Sequence, residues 1–253
     1  MTLKDRLIKD NSYLEEWLKK MAISELDRKL FSHNFLYYHK ALAVDNVNDK
    51  LFISVKNNFY ISSLIEEFGI NNFNNRSLDY YGLLEIFSPI FSDNEALIQR
   101  FAKLRYDAYG KMPDMDFEVS RGRSPIWCNT VQFFMENNTE GVERNLNIIE
   151  LKILNKVSKN DGLIDDYHFY KALLDSDKGK MEEILAKLLS PKIHKKRHED
   201  LMLKQYFSFI GTGLAKLAWR KGIEVEVNSP FVPKELLPIV PNELYDIPYD
   251  FLK

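Results

Sequence analysis

The placement of proline constrains the fold of this chain more than any other feature of its sequence. Proline inside a helix removes a backbone hydrogen bond and clashes with the preceding turn. Residues 1–229 hold few prolines, which favours helices over a turn-rich β fold. We predict an all-α protein with an extended, proline-rich C-terminal tail. Five of the nine prolines fall in that tail: Pro230, Pro233, Pro238, Pro241 and Pro248.

Apolar residues recur at helical spacing in three segments of the first 70 residues. The segments cover residues 3–21, 23–42 and 51–68, and steps of three and four place their apolar side chains on one face. The start of the third segment also suits a strand, but the pattern continues through Leu64 and Ile65, which favours a helix. We expect residues 1–70 to form an N-terminal helical subdomain.

Two stretches of the sequence are typical of turns and loops. Residues 69–77 are rich in asparagine, which tolerates left-handed backbone geometry, and Gly69 predicts the end of a helix. Residues 109–125 contain two glycines and two prolines and predict a long loop. We expect residues 78–253 to form a helical body that is joined to the N-terminal helices in one structural unit.

One pattern occurs three times in this body: an apolar helical segment, a short polar turn and a second amphipathic segment. The copies cover residues 83–101, 131–146 and 171–185. Each turn contains serine, aspartate or asparagine, whose side chains accept hydrogen bonds from the free amides that begin a helix. We therefore predict three helical hairpins. Their unequal spacing predicts irregular, repeat-like stacking instead of a regular solenoid.

A last long helix is predicted over residues 201–221, with Gly222 at its end. Gly211 and Gly213 lie inside it, and each glycine destabilises a helix by up to about 1 kcal/mol relative to alanine. We therefore expect a neighbouring element to approach closely at these two positions. A phosphate-binding loop is disfavoured because neither of the usual glycine-rich runs is present. Residues 223–227 alternate like a short strand or an extended edge.

The residue types that carry catalysis or bind metals form no complete pattern. His194 and His198 have the spacing of two ligands on one helix face, but Lys195 stands where a zinc peptidase needs glutamate. The neighbouring bases favour a solvated basic turn. The apolar context of Cys128 favours a buried thiol over a nucleophile. We predict no enzyme activity and no catalytic, cofactor-binding or metal-binding residues. A hydrolase with a dispersed triad stays open.

Two aspartate pairs allow more than one interpretation. Paired carboxylates bind divalent metals or act as acid and base. Asp165 and Asp166 directly precede an apolar helical run, which favours capping of that helix and a favourable interaction with its dipole. Asp114 and Asp116 form the other pair, in the predicted loop. A third interpretation treats such acids, where they are exposed beside aromatic residues, as a surface for a basic partner.

Charge and hydropathy exclude several partners. The chain has 37 acidic and 35 basic residues, a net charge of −2, so no global positive field holds nucleic acid. No apolar run approaches the roughly 20 residues that cross a bilayer, and the first residues lack the apolar stretch of a secretory signal. We expect a soluble, cytoplasmic protein that binds neither nucleic acid nor membranes.

The last third of the sequence resembles a known family. The run Phe207-Ser-Phe-Ile-Gly-Thr-Gly-Leu-Ala-Lys-Leu-Ala-Trp-Arg-Lys-Gly-Ile-Glu-Val-Glu-Val227, with residues 229–238 and 245–249, resembles the C-terminal region of the immunity-49 family of bacterial polymorphic-toxin immunity proteins. The preceding hairpins resemble the family's helical body, so the resemblance covers residues 78–253. It implies a cytoplasmic protein that neutralises a cognate toxin protein by stoichiometric binding, with no catalysis and no cofactor.

The resemblance assigns no contact residues, so the predicted toxin contacts depend on chemistry. Many toxins that act on phosphates have basic active sites, and acidic side chains complement them. The alternative is a helical-repeat scaffold or adaptor that binds an endogenous protein partner. A further alternative is another all-helical immunity family. The predicted contacts are the four aspartates of the two pairs: Asp114, Asp116, Asp165 and Asp166.

Overall fold

The computed structural model describes Asp5, Leu7 and residues 25–79, 81, 85–158, 162–197 and 203–253. The predicted helix over residues 3–21 otherwise lies outside the described residues. The described part of the chain is all-helical and contains no strand. Its eleven α-helices are α1 Glu25–Asn48, α2 Phe52–Phe73, α3 Ser88–Ser92, α4 Glu95–Lys103, α5 Met115–Ser120, α6 Pro125–Met135, α7 Thr139–Lys152, α8 Leu163–Leu174, α9 Lys178–Leu188, α10 Pro191–Arg197 and α11 Phe209–Arg220.

Helices α1 and α2 are joined by a short turn and pack side by side, and α2 also packs on α3. The prediction of a helix instead of a strand after Leu51 is confirmed. The prediction that Gly69 ends this helix is wrong. Gly69 is buried inside α2, and Asn74 ends it with left-handed backbone geometry (φ 49°) and an N–H that donates to the Gly69 carbonyl. The boundary between residues 70 and 78 stays a prediction.

The three predicted polar turns share one geometry. In each turn one residue has left-handed backbone geometry, with φ of 57° or 58°. The next residue caps the following helix, because its side-chain oxygen accepts a 2.9 Å hydrogen bond from an amide three residues later. The prediction of capped helical hairpins is confirmed in these turns. The left-handed and capping residues are Asp93 and Asn94, Asn137 and Asn138, and Ser176 and Asp177.

The two glycines inside α11 mark close approaches, as predicted. A Cβ atom on Gly211 would lie 2.6 Å from Cδ2 of Leu189, and one on Gly213 would lie 2.4 Å from the ring of Phe87. Both distances are shorter than packed carbon atoms tolerate. The glycines therefore let α11 sit against the end of α9 and the turn before α3, in a core cluster to which the other helices also contribute.

Two element boundaries differ from the prediction. The predicted loop over residues 109–125 contains the short helix α5, because the Asp114 side chain accepts from the Phe117 amide and caps it. Helix α11 begins at Phe209 instead of residue 201, because the Ser208 side chain accepts from the Gly211 amide and caps it there. Gly222, with φ 77°, follows its end as predicted.

Residues 223–253 run without an α-helix and return to the first two described helices. Within residues 223–228, buried and exposed side chains alternate, but no strand partner lies beside them in the described part of the chain. Further on, the Tyr245 hydroxyl donates to the Ser92 carbonyl at 2.5 Å. The Tyr249 ring packs on Phe35 of α1, with 4.7 Å between the ring centres. None of the described helices combines the length and the apolar character of a membrane span.

Candidate interaction surface

The connection between α4 and α5, residues 104–114, presents large apolar side chains to solvent. Tyr109 is 73% exposed and Met112 is 56% exposed, and Phe117 in the adjoining α5 is 49% exposed. A cavity of about 890 Å³ opens beside Tyr109 and Met112, and residues 70–76 form its other wall. Grouped exposed apolar side chains are typical of surfaces that bind another protein.

Local hydrogen bonds hold this loop in one shape. The backbones of Tyr109 and Met112 exchange two hydrogen bonds of 2.9 Å each. Gly110 between them has φ 61°, which glycine adopts without strain. On the facing segment, the Asn74 side chain donates to the Asp107 carbonyl and accepts from its amide, both at 2.8 Å. These contacts fix the backbone at Tyr109 in one conformation.

The Arg76 guanidinium connects the α4–α5 loop to the segment that follows α2. It pairs with Asp79 at 2.7 Å and donates to the Pro113 carbonyl at 2.8 Å. It also stacks on the Tyr106 ring, 4.2 Å from the ring centre, and the Tyr106 hydroxyl donates to Asp79. Burial and the Asp79 carboxylate both raise the pKa of Tyr106, so this hydroxyl stays protonated and keeps donating.

Two of the four predicted contact residues lie next to these apolar side chains. Asp114 is exposed and caps α5, as described above. The Asp116 side chain is 77% exposed and lies 3.1 Å from Nε of Arg105. Both carboxylates are open to a partner, although each also has a role within the fold. Sequence reasoning missed Tyr109 and Phe117, because no pattern in the sequence distinguishes an exposed aromatic residue from a buried one.

The other two predicted contact residues are buried in ion pairs. Asp166 accepts two hydrogen bonds from the Arg197 guanidinium, at 2.7 and 2.5 Å, and is 0% exposed. Burial raises the pKa of Asp166, and the Arg197 charge opposes that rise. Asp165 is 4% exposed and pairs with Lys187 at 2.6 Å. In this fold neither carboxylate presents a surface to another protein.

The favoured interpretation of Asp165 and Asp166 is wrong in its helix-capping part, while the predicted position at the positive end of the helix dipole is confirmed. Gly162 occupies the capping position of α8, and the two aspartates lie in its first turn. Their negative charges are favourable there, at the positive end of the helix dipole. The segment is therefore anchored by non-local ion pairs to α9 and α10 instead of by a side-chain cap.

The predicted solvated basic turn is only partly solvated. Lys195 and Lys196 are exposed, but His194 is 4% exposed and Arg197 pairs with Asp166. The His194 ring stacks on Phe231 at 4.3 Å and its Nε2 lies 2.7 Å from the Lys204 carbonyl. His198 lies outside the described residues. No group of potential metal ligands occurs among the residues that the structure describes.

A second exposed feature is the groove between α7 and α8, with a volume of about 230 Å³. The residues that line it include three carboxylates and one ammonium group, above partly apolar walls. The Tyr167 hydroxyl donates to Glu150 Oε2 at 2.7 Å across the groove, and the Lys171 Nζ lies 5.5 Å from the Tyr167 ring centre. The charged lining residues are Glu143, Glu150, Asp175 and Lys171.

The interior of the protein holds an ion cluster around Asp93. The two carboxylate oxygens of Asp93 lie 2.7 Å from Nζ of Lys216 and 2.9 Å from Nζ of Lys56. Lys216 also donates to the carbonyls of Leu236 and Pro238, at 2.6 and 2.9 Å. Burial lowers the pKa of Lys216 to about 8, and Asp93 opposes that shift. This cluster anchors the segment after α11 to α2 and to the first capped turn.

A second buried group combines two carboxylates with one lysine. Lys40 donates to Glu85 at 2.7 Å. Glu66 is 3% exposed, and its Oε1 has no hydrogen-bond partner among the described residues. The pKa of Glu66 is raised to about 8, chiefly by burial and also by the Glu85 charge, while Lys40 opposes this rise. Lys40, Glu66 and Glu85 are each less than 10% exposed.

Cys128 is buried, as predicted, and burial raises the pKa of its thiol. A thiol that stays protonated and covered is a poor nucleophile. The residue therefore contributes to packing in α6, together with neighbouring buried apolar side chains.

Comparison with family models gives a match. The model of a family described as immunity protein 49 matches residues 82–236, which is more than half of the chain. The matched region begins before α3 and ends at residue 236, in the segment that follows α11, so it includes the three capped turns, the α4–α5 loop and the α7–α8 groove. No curated protein and no solved structure matches this chain.

Proposed function

Because this chain belongs to the immunity protein 49 family, we propose that it neutralises a cognate bacterial toxin by binding it stoichiometrically. The single observation that carries this proposal is the family match over residues 82–236. The protein acts in the cytoplasm, needs no cofactor, and binds neither nucleic acid nor membranes. It catalyses no reaction on the toxin; it covers the toxin's active site or substrate groove.

The arrangement of the helices suits this role. We infer that the capped hairpins stack in a repeat-like manner, with the proline-rich tail across them, and that this stacking holds the exposed loops in fixed positions. A surface that is fixed before binding loses little conformational entropy when it binds. The hydrogen bonds between Asn74 and Asp107 support such a fixed surface at the α4–α5 loop.

The proposed toxin contacts are Asp114 and Asp116, together with the exposed rings of Tyr109 and Phe117. Aromatic residues dominate the binding energy of many interfaces, while exposed charges guide association. Asp165 and Asp166 serve a different role in this proposal. They hold α8 in place through Lys187 and Arg197, and α8 in turn supports the groove beside it.

Growth rescue tests the proposal. The toxin encoded beside this gene is expressed with and without the protein, and the protein is expected to restore growth and to co-purify with the toxin. Absence of both effects contradicts the proposal. A scaffold that binds an endogenous partner would give neither effect and would co-purify with a protein unrelated to the neighbouring toxin.

A further inference from the structure

We propose that the groove between α7 and α8 receives a lysine- or arginine-bearing segment of the toxin. This inference rests on the proposed function, because it names the chemistry of the partner that the immunity protein binds. The groove lies on two helices of the matched region. It is separate from the α4–α5 loop in its lining residues.

The charges in the groove are unbalanced. Three carboxylates line it against one ammonium group, Lys171. Glu143 and Asp175 are exposed, and neither belongs to an ion pair or to another side-chain interaction among the described residues. Glu150 accepts a hydrogen bond from Tyr167, but a tyrosine hydroxyl brings no positive charge. A cation that enters the groove therefore finds two carboxylates, those of Glu143 and Asp175, that have no ion-pair partner among the described residues. The third carboxylate, Glu150, accepts one hydrogen bond from Tyr167 and can accept more.

The position of two of these acids disfavours a purely structural role. Glu150 lies in the last turn of α7, and Asp175 follows the last residue of α8. Both sites are at the negative ends of helix dipoles, where an acidic side chain is unfavourable and a cation is favourable. A basic side chain that enters the groove interacts favourably with both carboxylates and with both helix ends.

The size and walls of the groove fit a side chain of a protein. Its volume of about 230 Å³ is below the roughly 300–1,000 Å³ of small-molecule sites. Leu146, Leu174 and Tyr167 form apolar parts of the wall. The apolar stems of lysine and arginine pack on such walls while their charged ends reach carboxylates.

The same charges disfavour the other occupants. In a two-fold symmetric contact, a second copy of this chain would bring an identical acidic groove, and nucleic acid would bring phosphates, so both are repelled. A basic segment of the partner is the occupant that the charges attract. Its complementary charge is expected to speed association more than it slows dissociation.

The test measures binding of the neighbouring toxin, in a catalytically inactive form, to the full chain. The groove variant carries Glu143→Gln and Asp175→Asn, which keep the size of both side chains and leave the Tyr167–Glu150 hydrogen bond in place. We expect the dissociation constant to rise about 10-fold, mainly through slower association, with a weaker dependence on salt. The control variant carries Glu183→Gln and Asp250→Asn, whose parent side chains are 70% and 95% exposed outside the groove. We expect it to bind like the unchanged protein.

A second variant gives a result that a folding defect does not produce. Lys171→Ala removes the only cation that lines the groove among the described residues, and we expect it to bind the toxin about 3-fold more tightly.

Unchanged binding and salt dependence in both groove variants would overturn the inference while leaving the proposed function intact. Failure of the unchanged protein to bind the toxin would contradict the proposed function itself and this inference with it.

Discussion

Asp93 and Lys216 form an ion pair in which both side chains are 0% exposed and 2.7 Å separates the carboxylate from the ammonium group. They link the first capped turn to α11, which are far apart in sequence. Lys56 of α2 shares the same carboxylate. One negative charge thus compensates two buried positive charges, and its removal leaves both without a counter-ion among the residues that the structure describes.

Replacement of Asp93 by asparagine tests this arrangement. Asparagine tolerates the left-handed backbone at this position (φ 58°), so Asp93→Asn removes the charge with little change in local geometry. Breaking a buried ion pair typically costs about 3–5 kcal/mol, and we expect the free energy of unfolding to fall by that amount. Urea denaturation measures it, with the exposed Asp250→Asn as control. A loss below about 1 kcal/mol would show that the buried lysines do not depend on Asp93.

The close approach at Gly213 gives a second prediction. A methyl group there would lie 2.4 Å from the Phe87 ring, so Gly213→Ala is expected to destabilise the protein by about 1–3 kcal/mol through overpacking. Gly179→Ala is the matched control, because Gly179 is also helical and only Asp177 Oδ1, at 3.7 Å, lies near its Cβ position. The control is expected to be neutral or stabilising by up to about 1 kcal/mol. Equal effects of the two substitutions would contradict the packing of α11 described above.

Glu66 gives a prediction about pH. Its pKa is about 8 in the folded protein, against 4.5 for the ordinary group. The folded state therefore binds more protons than the unfolded state between these pH values, and stability from this carboxyl is lost as the pH rises through that window. Glutamine does not titrate. We expect the stability of Glu66→Gln relative to the unchanged protein to improve by at least about 1 kcal/mol from pH 5 to pH 8.

Urea denaturation at several pH values measures that difference. Glu183→Gln, at a carboxylate that is 70% exposed, serves as the control and is expected to show a smaller dependence on pH. A difference between Glu66→Gln and the unchanged protein that stays constant from pH 5 to pH 8 would show that Glu66 titrates normally in the fold.

Cys128 is expected to be unreactive in the folded protein. It is 2% exposed and burial raises its pKa, so both access and ionisation are reduced. A thiol reagent such as Ellman's reagent is expected to react with the native protein at least about 100-fold more slowly than with the protein in urea. Because this is the only cysteine of the chain, the reaction follows one site. Equal rates in the two states would contradict its burial.

Local features of the structure were predictable from the sequence. The three polar turns form as predicted because capping depends on one side chain and an amide three residues away. The glycines of α11 were equally informative. Glycine destabilises the interior of a helix, so its presence there indicates that a neighbouring element packs too closely for a larger side chain. Gly69 was misleading because asparagine also adopts left-handed geometry, and the buried surroundings of Gly69 favour continuation of the helix to Asn74.

The candidate surfaces were less predictable because they depend on contacts between distant residues. From the sequence, Asp166 was predicted to contact the toxin and Arg197 to lie in a solvated turn. In the fold, the two side chains are buried and form an ion pair with each other. The α7–α8 groove was partly indicated by the sequence. Glu143 and Glu150 are seven residues apart in one helix, and this spacing places both on the same helix face. Nothing in the sequence indicated that Asp175 would join them.

The most direct test of the central claim is a titration of toxin activity with increasing amounts of this protein. Stoichiometric binding predicts that activity falls linearly and reaches its minimum at one molecule of protein per molecule of toxin, and that it returns when the complex is dissociated. Complete and lasting loss of activity at a small fraction of one equivalent would contradict the claim, because only a catalyst that modifies the toxin acts at such ratios.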